Sequence, residues 1–196
     1  MTSISWALMF YNEEESIRDA LDSFSPFVTE VVAIDMGSQD NSRNIVSEYT
    51  NKIYESSLNN NFAAARNFAI SKCETDWIFI ADPDEWLLEK DRDKFKQAID
   101  SIDSGGKEAY QMIRYNWMDA DMTKQYNVSG TNDRQIRIMK NLPRIRYVFP
   151  VHEIVQGYKS AGTIEGFGLH HGHFKVKKER RDHMSQLYDF FSKMKR

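Results

Sequence analysis

An apolar run, Trp77-Ile78-Phe79-Ile80-Ala81, ends in three carboxylates within four positions: Asp82, Asp84 and Glu85. Such a run suits a strand covered on both faces, which points to the interior of an α/β sheet. Carboxylates at its carboxyl end lie where open α/β sheets bind ligands. Asp82 and Asp84 flank Pro83, so two oxygen donors can converge on a hard cation that also holds a diphosphate. The tripeptide alone is a weak signal, because acidic residues after strands are common in turns and at helix N-termini.

What surrounds it strengthens the case. Ile4 to Phe10 reads as a buried strand, and Glu13 to Phe24 as a helix that Asn12 can cap. Glu30 to Asp35 reads as a second strand, Gln39 to Tyr49 as a second helix and Lys52 to Tyr54 as a short strand. Asn61 to Lys72 reads as a third helix, leading into the strand at Trp77. Alternation of this kind predicts an α/β fold with a mostly parallel sheet. After Trp86 the pattern changes. A helix over Asp91 to Ile102 stops before Gly105-Gly106, and strand-like pieces follow at Ala109 to Trp117, Lys124 to Val128, Gln135 to Met139 and Arg144 to Ile154. The second half is therefore expected to be mixed or antiparallel.

The expected organisation is one domain over residues 1–174, with a first half (1–86) and a second half (87–174), followed by a basic amphipathic C-terminal helix at 175–196. That last segment carries eight Lys/Arg against three Asp/Glu, on a chain whose net charge is −3. Met184, Leu187, Tyr188, Phe191 and Met194 recur there at helical spacing, which suits packing on the body, homo-oligomerisation, or peripheral contact with an anionic membrane surface. The overall charge gives no indication of nucleic-acid binding. One cysteine, Cys73, fits a reducing compartment and reads as a small buried hydrophobe. The start, Met1-Thr2-Ser3-Ile4, has no basic region before a long apolar core, and no run approaches membrane-spanning length. The expected location is cytoplasmic, with peripheral contact at the inner face of a membrane as the alternative that the basic tail leaves open.

Four polar groupings follow the strand ends or lie in the third helix: Tyr11-Asn12-Glu13-Glu14, Asp35 to Ser42, Ala64-Ala65-Arg66-Asn67 and Asp82-Pro83-Asp84-Glu85. In a parallel sheet they share one edge and can line one cleft. Each suits a nucleotide-sugar donor: Tyr11 to stack on a base, Asp35 to accept an imide proton, Gly37 to allow a tight turn, Arg66 to neutralise phosphate or pair with an acid, and Asp82 and Asp84 to hold metal and ribose. Each also has a structural reading, Asn12 as a cap and Arg66 as an ion pair among them. Their ordered recurrence is harder to explain by packing.

These segments resemble the family 2 glycosyltransferases of the GT-A fold, and most of all the branch containing lipooligosaccharide β-glucosyltransferases. That branch continues with patterns similar to Arg137-Ile138-Met139-Lys140-Asn141 and Val151-His152-Glu153. The resemblance covers roughly residues 3–175. It implies Mn2+- or Mg2+-dependent, inverting transfer of a sugar from a nucleoside diphosphate sugar, most simply a UDP-sugar, to a glycan, lipid-linked or other hydroxyl acceptor. Carried over, Tyr11, Asn12, Glu13, Asp35, Gly37, Arg66, Asp82 and Pro83 would line the donor site, and Asp84 with Asp82 would hold the metal. Pro83 replaces the small residue often found there and removes a backbone N–H. The proton acceptor is expected among Glu153, His152 and Asp133. Glu153 and His152, if adjacent on a strand, would point to opposite faces and should not share a role. Within His170-His171-Gly172-His173, three histidines so close rarely bind one zinc. One of them, taken here as His173, is expected to close over the donor diphosphate or its metal. A nucleotide- or glycan-binding protein without turnover stays open. So does a nucleotidyltransferase, although the acidic loop after the first strand disfavours it.

Overall fold

The computed structural model describes residues 2–56, 61–125 and 133–172. In chain order its elements are β1 (Ile4–Phe10), α1 (Ile17–Phe24), β2 (Glu30–Asp35), α2 (Ser42–Ser47), β3 (Ile53–Glu55), α3 (Phe62–Ser71), β4 (Trp77–Phe79), β5 (Glu85–Trp86), α4 (Arg92–Ser101), β6 (Ala109–Trp117), β7 (Asp133–Lys140), β8 (Arg146–Val148), β9 (Ile154–Gln156) and β10 (Ala161–Gly172). Eight strands form one sheet in the order β3-β2-β1-β4-β7-β6-β10-β5. β1 pairs in parallel with β2 and β4, β2 with β3, and β6 with β10. The remaining contacts, β4–β7, β6–β7 and β10–β5, are antiparallel. β8 and β9 form a separate antiparallel hairpin.

β1 shows how the layers arise. Strand side chains alternate between faces, so Ile4, Trp6, Leu8 and Phe10 enter one buried cluster and Ala7 the other. The first cluster is aromatic. Phe24 of α1 lies edge-on to Trp6 and Phe79, with centroids 5.2 and 5.1 Å away, and Phe79 is 5.2 Å from Phe95 of α4. Each fully buried ring of this kind contributes about 2 to 3 kcal/mol. The second face is built small: Ala63, Ala65 and Ala69 of α3 are buried over Ala7 and Val32, so the helix axis can approach the sheet closely. Asn61 caps α3, its side chain accepting from the Ala64 N–H at 2.9 Å.

Several elements differ from expectation. The first helix begins at Ile17 rather than Glu13, because the Glu13 carbonyl closes a tight turn onto Ser16 N and Ile17 N. Asn12 does not cap it. Asn12 takes a left-handed φ of 54° and its Oδ1 accepts from Gln39 N at 2.8 Å, on the neighbouring loop. The second helix shortens to Ser42–Ser47, since Asp40 accepts from Ser42 N and starts it. Arg144 to Ile154 is not one strand. Phe149 and His152 adopt φ of 69° and 52°, reversing the chain between β8 and β9. Nothing in the sequence announced β10. It contains Gly162, Gly166 and Gly168, and a Cβ at Gly168 would sit 2.4 Å from Ile113 Cγ2 and 2.7 Å from Ile113 O, so glycine lets β10 lie against β6. Of the piece expected over Lys124 to Val128, Gln125 bridges to Trp117, and the rest falls outside the described residues. So do the 175–196 segment and His173.

Candidate active site

The parallel register brings the first two polar groupings together. Phe10 pairs with Asp35, so Tyr11 and the loop after Asp35 leave the sheet side by side. Tyr11 is 49% exposed, an available ring. Asp35 is buried. Its Oδ1 accepts from Gly37 N at 3.1 Å and Ser38 N at 2.8 Å, while its Oδ2 pairs with Arg43 at 3.3 Å. Gly37 makes this turn possible, with φ +95°. Asn12 and Glu13 knit the two loops, Asn12 N donating to Ser38 Oγ and Glu13 N to Ser42 Oγ. The buried Glu13 carboxylate accepts from Ser16 Oγ at 2.8 Å. These bonds hold the two loops together.

The carboxylate turn sits at the next strand end. Trp6 Nε1 donates to Ala81 O at 3.1 Å, tying the turn's start to β1. Glu85 N then donates to Asp82 O at 3.0 Å, closing a reverse turn with Pro83 in its second position, where a missing N–H costs nothing. Glu85 is fully buried and clamps the turn from beneath. One of its oxygens accepts from Asp82 N at 2.9 Å, and the other accepts from Arg137 Nη2. Burial pushes the Glu85 carboxyl above its ordinary range, more than Arg137 and Arg114 pull it down.

Arg66, from α3, reaches across to this turn. Its Nη2 donates to Asp82 at 2.8 Å and its Nε to Glu153 at 2.9 Å, and its guanidinium lies 5.3 Å from the centre of the Tyr147 ring. Burial would raise the Asp82 carboxyl, but Arg66 and Arg137 outweigh it and hold it well below its ordinary range. Asn67, the next residue, donates to Tyr147 O and accepts from Tyr147 N, both at 2.9 Å. This two-way bond fixes the β8–β9 hairpin to α3 and delivers Glu153 to Arg66.

Asp84 lies on the other side of the turn. It is buried, and its Oδ2 is 3.3 Å from His171 Nε2 on β10. Burial lowers the His171 pKa, but the bond to Asp84 and its charge reverse this, so the net shift is upward. His171 Nδ1 lies 3.0 Å from Asn116 Oδ1. His170 points to the opposite face, where its Nδ1 accepts from Trp117 Nε1 at 2.8 Å. The strand pleat thus divides the two histidines and leaves no shared ion for them. A gap of 3.3 Å between His171 and Asp84 matches two neighbouring ligands on one cation with bonds of about 2.1 Å. Among the described residues no group of three or more His, Cys, Asp and Glu gathers. Asp84 and His171 could serve as two ligands of a divalent cation, the small protein share that such cations take when a nucleotide supplies other ligands. The donor set fits such a cation.

The structure thus gathers Arg66, Asp82, Glu153 and Asp84 at one sheet edge, with Tyr11, Asp35 and Gly37 on neighbouring strand ends. His152 is exposed, with left-handed backbone, in the reversal rather than on a strand. Asp133 is engaged by Arg114 at 2.9 Å and by Gln135. The sequence reading missed Glu85 as a clamp, together with Arg114, Asn116, Arg137, Asn67, Tyr147 and His171, while its own choice, His173, lies outside the described residues. A signal existed for some of these. Arg114 and Asn116 are polar residues in the largely apolar and aromatic β6, and Arg137 stands between Ile136 and Ile138 in β7.

The model of the family described as glycosyl transferase family 2 matches residues 5–161. A TPR repeat-containing protein of Synechococcus elongatus is 28% identical over 155 residues, covering 79% of this chain and 36% of that protein. The fold is similar to that of Staphylococcus aureus TarS. Against TarS 1–349 in complex with UDP-GlcNAc the TM-score is 0.62 at 16% identity, over 95% of this chain and 65% of that one. Against a further TarS structure it is 0.64 at 16% identity, over 87% of this chain and 37% of that one. The chain thus spans about a third of the curated relative and less than two thirds of TarS. With a sheet whose first half is parallel, polar groups at its strand ends and a family match over most of its length, the chain belongs to glycosyl transferase family 2.

Proposed function

We propose that this domain transfers a sugar from a UDP-sugar, with inversion, to a hydroxyl of a glycan or lipid-linked acceptor, using a divalent cation held by Asp84 and His171. The observation that carries this reading is the 3.3 Å approach of His171 Nε2 to Asp84 Oδ2, beside a guanidinium that holds both Asp82 and Glu153. An imidazole beside a carboxylate favours Mn2+ over Mg2+, which prefers an all-oxygen shell. The UDP and UDP-GlcNAc complexes of the similar TarS fold support a uridine donor.

Asp84 and His171 would hold the cation, which would supply a Lewis acid for the negative charge that develops on the diphosphate. Tyr11 stacks on the base, and the Asp35 turn forms the floor beneath it. Arg66 adds positive charge beside the turn and holds Glu153 in place. The acceptor hydroxyl attacks the anomeric carbon as the bond to the diphosphate oxygen breaks. The bonding pair leaves on the diphosphate, and Glu153 takes the hydroxyl proton. The test is UDP release from UDP-glucose and UDP-GlcNAc in Mn2+, with and without sugar acceptors, for wild type and Glu153→Gln. The expected loss in Glu153→Gln is about a hundredfold or more in kcat, with unchanged donor affinity. UDP binding without release from any donor would favour a nucleotide-binding protein without turnover.

A further inference from the structure

We infer that Arg137 is a positioning residue for the donor cation: acting through Glu85, it holds the turn that presents Asp84 to His171. This rests on the reading of Asp84 and His171 as a cation-holding pair. Arg137 is the bulged residue of β7. In the ladder with β6, Tyr110 pairs with Ile138 and Gln111 with Ile136, so Arg137 is skipped. Ile138 accordingly joins the first buried cluster while Ile136 packs against the second. In a regular strand these two isoleucines would share a face. A bulge re-aims the side chain it carries. Here it sends Arg137 beneath the carboxylate turn, where it is 2% exposed.

Arg137 meets the turn at three points. Its backbone oxygen accepts from Ile80 N at 2.8 Å, its Nη1 lies 3.5 Å from Ile80 O, and its Nη2 donates to Glu85. Glu85 passes this hold onward. Its second oxygen accepts from Asp82 N at 2.9 Å, and its own N–H donates to Asp82 O at 3.0 Å. The turn is thus tied at Ile80, Asp82 and Glu85, with Asp84 carried between the last two. Glu85 also pairs with His171 where β5 meets β10. The residue that Arg137 grips therefore sets the register that brings Asp84 Oδ2 to 3.3 Å from His171 Nε2. Stability alone explains this arginine poorly. Apolar residues in place of a buried ion pair are often neutral for stability, and Arg137 Nε is buried with no partner among the described residues.

Groups that stand behind metal ligands are commonly worth about 10- to 100-fold in metal affinity. The experiment is calorimetry of UDP binding to the full chain with and without Mn2+, read as the ratio of the two affinities, beside thermal melting. Unfolded protein lowers the number of sites but not this ratio. The variants are Glu85→Leu together with Arg137→Met, Arg137→Lys alone, and His171→Ala as control. The apolar pair strands no buried charge, because Arg114 keeps its bond to Asp133, so it should melt close to wild type. Its Mn2+ ratio should nevertheless fall about tenfold or more, since Asp82 N has lost its acceptor. Arg137→Lys keeps the charge without the fork, and its ratio should fall about threefold or more. A wild-type ratio in the apolar pair would overturn the inference. Should that pair not fold, a wild-type ratio in Arg137→Lys would do so. A wild-type ratio in His171→Ala would overturn the cation pair itself. A ratio lost in His171→Ala but kept in both Arg137 variants would overturn the positioning role alone.

Discussion

One guanidinium joins parts of the chain 87 residues apart, Arg66 on α3 and Glu153 after β8. Removing it strands two partly buried carboxylates, Asp82 and Glu153. Arg66→Ala should therefore cost about 3 kcal/mol in urea unfolding at pH 7. Arg66→Lys should recover only part of this, because one ammonium cannot reproduce the two-way fork. The sign with pH follows from Asp82. Its folded carboxyl is held below the ordinary 3.8, so its contribution is complete above that value and drains away as the pH falls beneath it. The difference between wild type and Arg66→Ala should shrink as the pH drops from about 4 toward about 2. An unchanged difference across that range would contradict the pairing. At this scale the sequence displayed half of each interaction. Asp82 and Asp84 stood out by their place after a strand, and Arg66 by its charge in the third helix. That Arg137 meets Glu85 and that His171 meets Asp84 did not, because those pairings are set by sheet register rather than by local pattern.

At the scale of elements, the legible parts were those whose conformation follows from apolar periodicity: β1, β2, α3 and β6. β10 was hidden by its glycines, which weaken the strand signal yet are what close packing on β6 demands. Gly168→Ala should cost about 2 kcal/mol through its clash with Ile113. It should also weaken Mn2+ binding, since β10 carries His171. Equal stability of Gly168→Ala and wild type would mean that β10 does not pack as described. The β8–β9 reversal was hidden for another reason: left-handed backbone at Phe149 and His152 is rarely adopted by such residues. At the end of α3, Cys73 is buried and donates to Ala69 O at 3.4 Å, and burial pushes its thiol up to about 12 from 9.0. The native thiol should resist aromatic disulfide reagents at about pH 8 and react only on unfolding. Because its folded pKa is raised, its contribution is complete below about pH 9 and is lost as the pH rises toward 12. Rapid modification of the folded protein under those conditions would contradict this burial.

For the whole molecule, an α/β sheet with a parallel first half and a mixed second half was expected from the pattern of strands and helices, and it is what the chain forms. The second half was the harder part. β5 and β10 join residues 85–86 to 161–172, a pairing that only the finished sheet displays. That pairing also places His171 over Asp84, so the proposed cation site is a product of the whole fold rather than of any one motif. The measurement that bears on this most directly is calorimetry of UDP binding, with and without Mn2+, to wild type and Asp84→Ala. The expected result is Mn2+-dependent UDP binding by wild type, weakened about a hundredfold in Asp84→Ala, while melting of the variant stays near wild type. UDP binding that is equal without metal and in Asp84→Ala, or no UDP binding by wild type at all, would contradict a cation-held donor site at this sheet edge.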